Sequence, residues 1–329
     1  MIKFIIKRIL TIIPVLLAVA IVIFTILYFS PGDPIKLQLG DNYTPEQYQV
    51  MAKDLGLDQP YIVQLGTFLY RFFLHFDFGT SWVMKTNIAS EIFSRLPRTV
   101  IIAAFCCLLQ IIVAIPLGIT AATHQNGIID RLCILLAMIG ISLPGFWVGL
   151  MFILLFSVKL NWLPTSGVEH WYSYIMPIVA NALMGIGSLT RMTRSQMLEV
   201  IRSDYITTAR AKGVPERTIL YGHALPNALI PIITFVGTHF GRALGGTVVI
   251  ETVFAIPGIG YYIMDAVRKA DYPIVRSGVT LLSLLFCIVI LIIDILYAFI
   301  DPRIKAQYEN SGRKRVKKTS TGKGVAANA

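Results

Sequence analysis

Residues 191–227, RMTRSQMLEVIRSDYITTARAKGVPERTILYGHALPN, are polar and helix-prone in a chain otherwise built of long apolar runs. The stretch begins as the polar continuation of one apolar span and ends where another starts. Ser203 stands where a helix can be capped, and Asp204 follows in the first turn, where the macrodipole favours an anion. Over 204–212 the helix carries Tyr205 and Ala209 at i,i+4 spacing, hence on one face. Arg210, Ala211 and Lys212 form its last turn, Gly213 supplies a left-handed stop and Val214 the apolar follower. Pro215-Glu216 opens a second short helix, with Arg217, reaching about His223. Leu225-Pro226-Asn227 is then expected to restart the chain into the next span. The pattern predicts helix, glycine corner, helix, held between two membrane segments as a docking knob. A DNA-binding helix-turn-helix has the same ingredients, but apolar flanks would press it against the bilayer, so nucleic acid is not expected as a partner. A basic loop between spans can also serve only as a topology signal.

The rest of the chain supplies those flanks. Of its 329 residues 55% are hydrophobic and only 14% charged, with net charge +11 and mean hydropathy +0.69. So few charges in so apolar a chain point to a polytopic membrane protein. The four cysteines, Cys106, Cys107, Cys133 and Cys287, fall in apolar runs and read as small hydrophobes rather than a disulfide or metal framework. The first apolar run, 9–29, would be roughly 32 Å long as a helix, too long for a signal-peptide core, and is expected to stay as an anchor.

Five more spans are predicted, at 99–121, 132–156, 174–189, 228–250 and 279–300. Pro116, Pro144, Pro177 and Pro231 interrupt four of them, which neighbouring helices can accommodate. Asn181, Gly185, Gly187 and Ser188 mark the fourth span as packed against protein or lining a path. The fold class is therefore an all-α membrane protein with six transmembrane helices. Its expected divisions are a first span with its N-terminus (1–30), an extracytoplasmic helical insertion (31–98), a five-span core with the loop 191–227 (99–305) and a basic disordered tail (306–329).

Within the insertion, Thr44-Pro45-Glu46 starts one helix and Asp58-Gln59-Pro60 another. Phe68, Tyr70, Phe72, Phe73 and Phe76 on the second are expected to lie on the bilayer surface or on neighbouring spans. Asp77-Phe78-Gly79 looks like the kinase metal-binding triplet, but no glycine-rich loop or HRD accompanies it. Gly245-Gly246, Glu251, Phe254 and Pro257-Gly258-Ile259-Gly260 predict a tight bend just outside the fifth span, with a short amphipathic helix after it. Basic residues concentrate before the first span, in 191–217 and after Arg303, which places both termini and the 191–227 loop in the cytoplasm.

No GxxxxGK[ST], HExxH or GxSxG occurs, so no phosphate cradle or hydrolytic site is expected in this chain. A pump built on it must borrow nucleotide hydrolysis through a protein contact.

Asp204-Tyr205, Ala209-Arg210-Ala211-Lys212-Gly213 and His223-Ala224-Leu225-Pro226-Asn227-Ala228 resemble the cytoplasmic loop of permease subunits of ABC importers, nearest the dipeptide, oligopeptide and nickel branch. Leu55-Gly56-Leu57-Asp58-Gln59-Pro60 and Asp77-Phe78-Gly79-Thr80-Ser81 resemble the external segment of that branch. The resemblance implies a type I importer fold in the bacterial cytoplasmic (inner) membrane, importing short peptides or, alternatively, nickel or a metal chelate. It implies that the loop couples to two ATP-binding subunits, which hold ATP-Mg while this chain binds no cofactor or metal and catalyses nothing. It also implies a second permease subunit of a different chain, an extracytoplasmic substrate-binding protein and the lipid membrane as partners. By the same resemblance, the segment from Glu251 to Gly260 is an external gate.

Two charges fall inside spans, Arg242 and Asp294. Their depths differ by over roughly 10 Å, which argues against a direct pair and weakens an ion-coupled secondary transporter as the alternative. Asp294, with Tyr297, Ala298 and Asp301-Pro302-Arg303, reads as structural. Arg242 and His239 either face a substrate path with Asn181, where the guanidinium could fork a carboxylate, or Arg242 pairs internally with an acid such as Glu251.

Overall fold

The computed structural model describes residues 2–40 and 42–300, so the tail 306–329 and Asp301-Pro302-Arg303 lie outside the described residues. Among these residues the secondary structure is helical, apart from one isolated bridge between Thr80 and Asn87. Helix α1 covers Ile2–Tyr28, α5 Ile88–Thr123, α8 Ile175–Ile201 and α13 Tyr272–Ile300. Each contains a stretch long and apolar enough to cross a membrane. Two bent pairs complete up to six crossings. The first joins α6 (Ile128–Ser142) to α7 (Gly145–Phe152) and its π-helical extension Ile153–Lys159, at 94°. The second lies within the run that ends in α11 (Leu225–Val253), where the axis turns by 51° at Pro231.

The third predicted span is thus two helices, not one. Pro144 cannot donate a backbone hydrogen bond and drives the residue before it out of helical geometry; Leu143 has ψ 123°. The expected bend outside the fifth span falls at 254–258, where Ala255 has φ +49°, while α11 runs through Gly245-Gly246 to Val253. Thr247, Ile250 and Glu251 beyond that pair are all buried, so packing holds the helix where glycine alone would weaken it. The sixth helix begins at Tyr272, well before 279, because Asp271 and Pro273 start it.

Helices α5 and α8 form the centre. They meet through small side chains, Ala103, Cys106, Ala114 and Gly118 on one and Ala180 and Gly185 on the other, all buried, while Gly187 faces α6. Small residues let backbones approach where lipid offers no hydrophobic drive to associate. A Cβ added at Gly187 would collide with the Ala137 carbonyl oxygen, and one at Gly185 with the Gln110 amide. Against α11, Gly237 and Gly241 admit Ile293 and Phe286 of α13 in the same way. At the opposite margin Arg8 of α1 forks Asp294 of α13 at 3.2 Å through both Nε and Nη2. The intramembrane carboxylate therefore has its partner on the first helix.

The segment between α1 and α5 carries α2 (Pro34–Leu39), α3 (Pro45–Asp54) and α4 (Tyr61–Leu74). Thr44 and Gln47 close a reciprocal capping box on α3. Phe68 and Phe72 of α4 pack on Ala20 and Phe24 of α1, while Ile62, Tyr70 and Leu74 stay exposed. The aromatic face thus divides between a neighbouring span and the surroundings.

Candidate functional site

Two regions at opposite ends of the bundle hold most of the residues singled out from sequence. At one end α8 runs out to Ile201 and the chain turns into α9 (Asp204–Ala211). Ser203 occupies the N-cap with extended backbone, but its hydroxyl donates back to the Val200 carbonyl at 2.6 Å and caps nothing ahead. Gly213 takes φ +77°, a conformation costly for any residue with a Cβ. The second short helix is only Glu216–Thr218, here α10, and passes through a π-helical turn, Ile219–Ala224, directly into α11. Leu225-Pro226 therefore continues a helix instead of restarting one. Pro226 sits in the first turn of α11, where its missing N–H does little harm, and the Asn227 amide donates to the His223 carbonyl at 2.8 Å.

The corner is rigid for two reasons. Arg210 forks Glu216 across the glycine, Nη2 to Oε1 at 2.6 Å and Nε to Oε2 at 3.1 Å. These bonds hold the Arg210 guanidinium charged, with its pKa above the usual arginine value. The pair is largely exposed, so it contributes geometry more than stability. The anchor is Ile206, with no exposed surface, packed in one cluster with Ala114, Leu189, Met197, Ile219 and Ala228. Helices α5, α8, α9 and α11 thus share one core. Ala209 packs against that cluster and does not present one face with Tyr205; Tyr205 projects outward at 48% exposure. Asp204, Arg210, Ala211, Lys212, Arg217 and His223 are exposed around it.

At the other end Glu251, fully buried in the last turn of α11, faces the start of α12 (Ile259–Arg268). It accepts the Thr99 hydroxyl of α5 at 2.6 Å and the Tyr261 backbone N–H at 3.0 Å. Thr99 in turn accepts the Ile259 N–H at 3.0 Å. An acid from one helix thereby satisfies the free donors of another, where the macrodipole also favours negative charge. Gly258 and Gly260 make this possible, since a Cβ on either would meet the Glu251 carboxylate. Phe254 is buried and packs on Gly149 of α7, and the Pro257 carbonyl accepts from Arg98 at 3.4 Å.

Asp271 grips the far end of α12. Buried to 1% exposure, it accepts the Ser81 hydroxyl at 2.5 Å and the backbone N–H groups of Trp82 and Val83 at 3.0 and 3.2 Å. Ser277 donates to the Phe78 carbonyl at 2.8 Å beside it. The turn after Asp77-Phe78-Gly79 is therefore a strap on α12 and α13, with no metal cluster among the described residues. Sequence reasoning placed Asp271-Tyr272-Pro273 beside this region but missed Thr99 and Ser81 as its partners. Asp271 before Tyr272-Pro273 has the look of a helix start, but its partners lie about 190 positions away.

Of the path residues, the side chains of Asn181 and His239 are described. Asn181 is half-buried on α8. The His239 ring on α11 stacks on Phe235 at 4.2 Å between centroids. The Arg242 side chain lies outside the described residues, and Glu251 is satisfied by Thr99 and α12.

Comparison with known proteins follows the same outline. Residues 114–306 match the family of binding-protein-dependent transport system inner membrane components, and residues 1–103 match the N-terminal portion described for such membrane components. A putative peptide transport system permease protein of Brucella abortus (strain 2308) is 41% identical over 309 residues, covering 92% of this chain and 98% of that one. The glutathione transport system permease protein GsiC of Salmonella typhimurium is 39% identical over 305 residues, covering 93% and 99%. Among solved structures, a chain of the MetNI methionine ABC transporter in an inward-facing conformation superposes with TM-score 0.55 at 16% identity. It covers 66% of this chain and 100% of its own, a likeness of fold.

Proposed function

The chain belongs to the family of inner membrane components of binding-protein-dependent transport systems, and we propose that it is the membrane-spanning subunit of an ATP-driven importer of short peptides. The cargo follows the peptide and glutathione permeases that match it over nearly their whole length. The observation that carries the mechanism is the shared core around Ile206. A force on the exposed face of α9 reaches α5, α8 and α11 together, because the short helix has no freedom to swivel alone. In this reading two ATP-binding subunits hold ATP-Mg and dock on the Asp204–Gly213 corner, with Arg217 and His223 at its edge. Their closure moves the corner as a rigid body and opens the spans toward the far side, and hydrolysis reverses the motion. The chain itself is non-catalytic and binds no cofactor.

The same reading places the α9 end and both termini in the cytoplasm of a bacterial cell, following the basic residues of 191–217. The α12 end and the 31–98 insertion then meet the extracytoplasmic binding protein. A second permease, a different chain, completes the membrane-spanning pair in this reading.

The test is uptake in proteoliposomes holding the complete transporter. Labelled dipeptide should accumulate with internal ATP and the binding protein, and stop when ATP is removed. Uptake that survives ATP removal but collapses with the proton gradient, or uptake of nickel in place of peptide, would overturn it.

A further inference from the structure

A basic cleft of about 400 Å³ lies between α6 and α8 at the α9 end, lined by Asp130, Arg131, Ile134, Arg191, Arg194 and Ser195. Asp130 offsets only part of the cleft's charge, attracting Arg131 through space while its own oxygens are bonded elsewhere. Its carboxylate is engaged by Arg194, with Nε at 2.6 Å and Nη2 at 2.7 Å, and by the Asn126 N–H at 2.9 Å. Arg131 and Arg191 are exposed and make no side-chain hydrogen bond or ion pair with any described residue. Two guanidinium groups therefore face the cleft with their donors unmet by protein. Deeper along the same pair of helices the surface turns apolar: Leu135 and Met138 on α6 and Met184 on α8 are each more than half exposed. Leu135 and Met138 lie about 6 and 10 Å further along the helix axis than Arg131.

Paired cationic donors over an apolar wall match one ligand shape, an anionic oxygen group carrying hydrocarbon. We propose that this cleft binds the phosphodiester headgroup of an anionic phospholipid, with Arg131 and Arg191 on the phosphate and the acyl chains along Leu135, Met138 and Met184. The assignment does not depend on which leaflet the α9 end faces, nor on the cargo. Because Arg194 ties the α5–α6 turn to the helix leading into α9, the lipid would sit beside the corner without being part of it.

The experiment is native mass spectrometry of the full chain titrated with phosphatidylglycerol or phosphatidylcholine, comparing wild type with R131Q, R191Q and the double variant. R202Q is the control, since Arg202 is exposed at the same end and donates to Gln125 at 3.1 Å. Wild type should prefer phosphatidylglycerol; each cleft variant should lose about 5-fold and the double variant about 25-fold of that preference. R202Q should lose none. Both cleft arginines are on the surface, and a monodisperse elution profile confirms that the variants fold. An equal preference in the double variant, an equal loss in R202Q, or displacement of the lipid by millimolar inorganic phosphate alone would each overturn the assignment.

Discussion

Replacing Ile206 by alanine tests whether the α9 corner moves with the spans. Ile206 is the one fully buried side chain of that eight-residue helix. Its neighbours Leu189, Met197 and Ile219 are themselves fixed in the core and cannot collapse into the gap. Truncating a fully buried isoleucine in such a setting costs about 3 kcal/mol, from lost transfer energy plus the cavity left behind. Almost all of that loss falls on the docking of α9, because the Arg210–Glu216 fork is solvent-exposed and contributes little. The ratio of docked to loosened α9 should then fall about 150-fold. The assay is uptake and ATP hydrolysis measured together in proteoliposomes of the whole transporter. Ile206→Ala should insert normally but transport less per ATP hydrolysed, by at least about 10-fold, while Ile206→Val, at about 1 kcal/mol, should keep most of the coupling. Wild-type peptide-to-ATP stoichiometry in the alanine variant would refute the rigid connection.

Gly213→Pro should abolish uptake while leaving membrane insertion intact, since proline is fixed near φ −65° and this residue needs +77°; normal uptake would count against the corner's role. Asp271→Ala leaves two backbone N–H groups and a hydroxyl buried without an acceptor, a loss of about 3 kcal/mol. Limited proteolysis should then cut the 77–87 strap at least about 10-fold faster than in wild type. Glu251→Gln presents an amide where Tyr261 N–H and Thr99 need acceptors; it should lower the melting temperature, and Thr99→Val added to it should cost less than it does alone. Gly187→Val drives side-chain atoms into the Ala137 carbonyl and should reduce the yield of folded protein by overpacking worth about 1–3 kcal/mol or more.

What could be read from the sequence was whatever local chemistry decides. Apolar run length located the membrane helices, Thr44-Pro45 located the start of α3, and Gly213 marked the positive-φ corner. Reading failed where tertiary contact outweighs local preference. Gly245-Gly246 reads as part of the bend outside the fifth span, yet buried neighbours on both sides keep α11 helical there. Pro144 looks like a tolerated interruption, yet it turns the chain by 94°. Ser203 has the right type for a cap, but its hydroxyl found the Val200 carbonyl first. The buried acids were the least legible, because Glu251 and Asp271 are explained by Thr99 and Ser81, each more than 150 positions distant. Arg8 and Asp294 likewise join nearly opposite ends of the chain.

The turn at Leu143-Pro144 leaves α6 with 15 residues, which reach about 22 Å against a hydrocarbon thickness of about 30 Å. Its continuation departs nearly at right angles and exposes Phe146, Trp147, Leu150 and Leu154. That flank therefore presents its apolar surface as a ledge and not as a column. Lipids beside it must shorten or splay to cover both surfaces, at fractions of a kcal/mol per ångström of mismatch. Wherever this ledge faces lipid, acyl-chain length becomes a mechanical load on the helix next to α8.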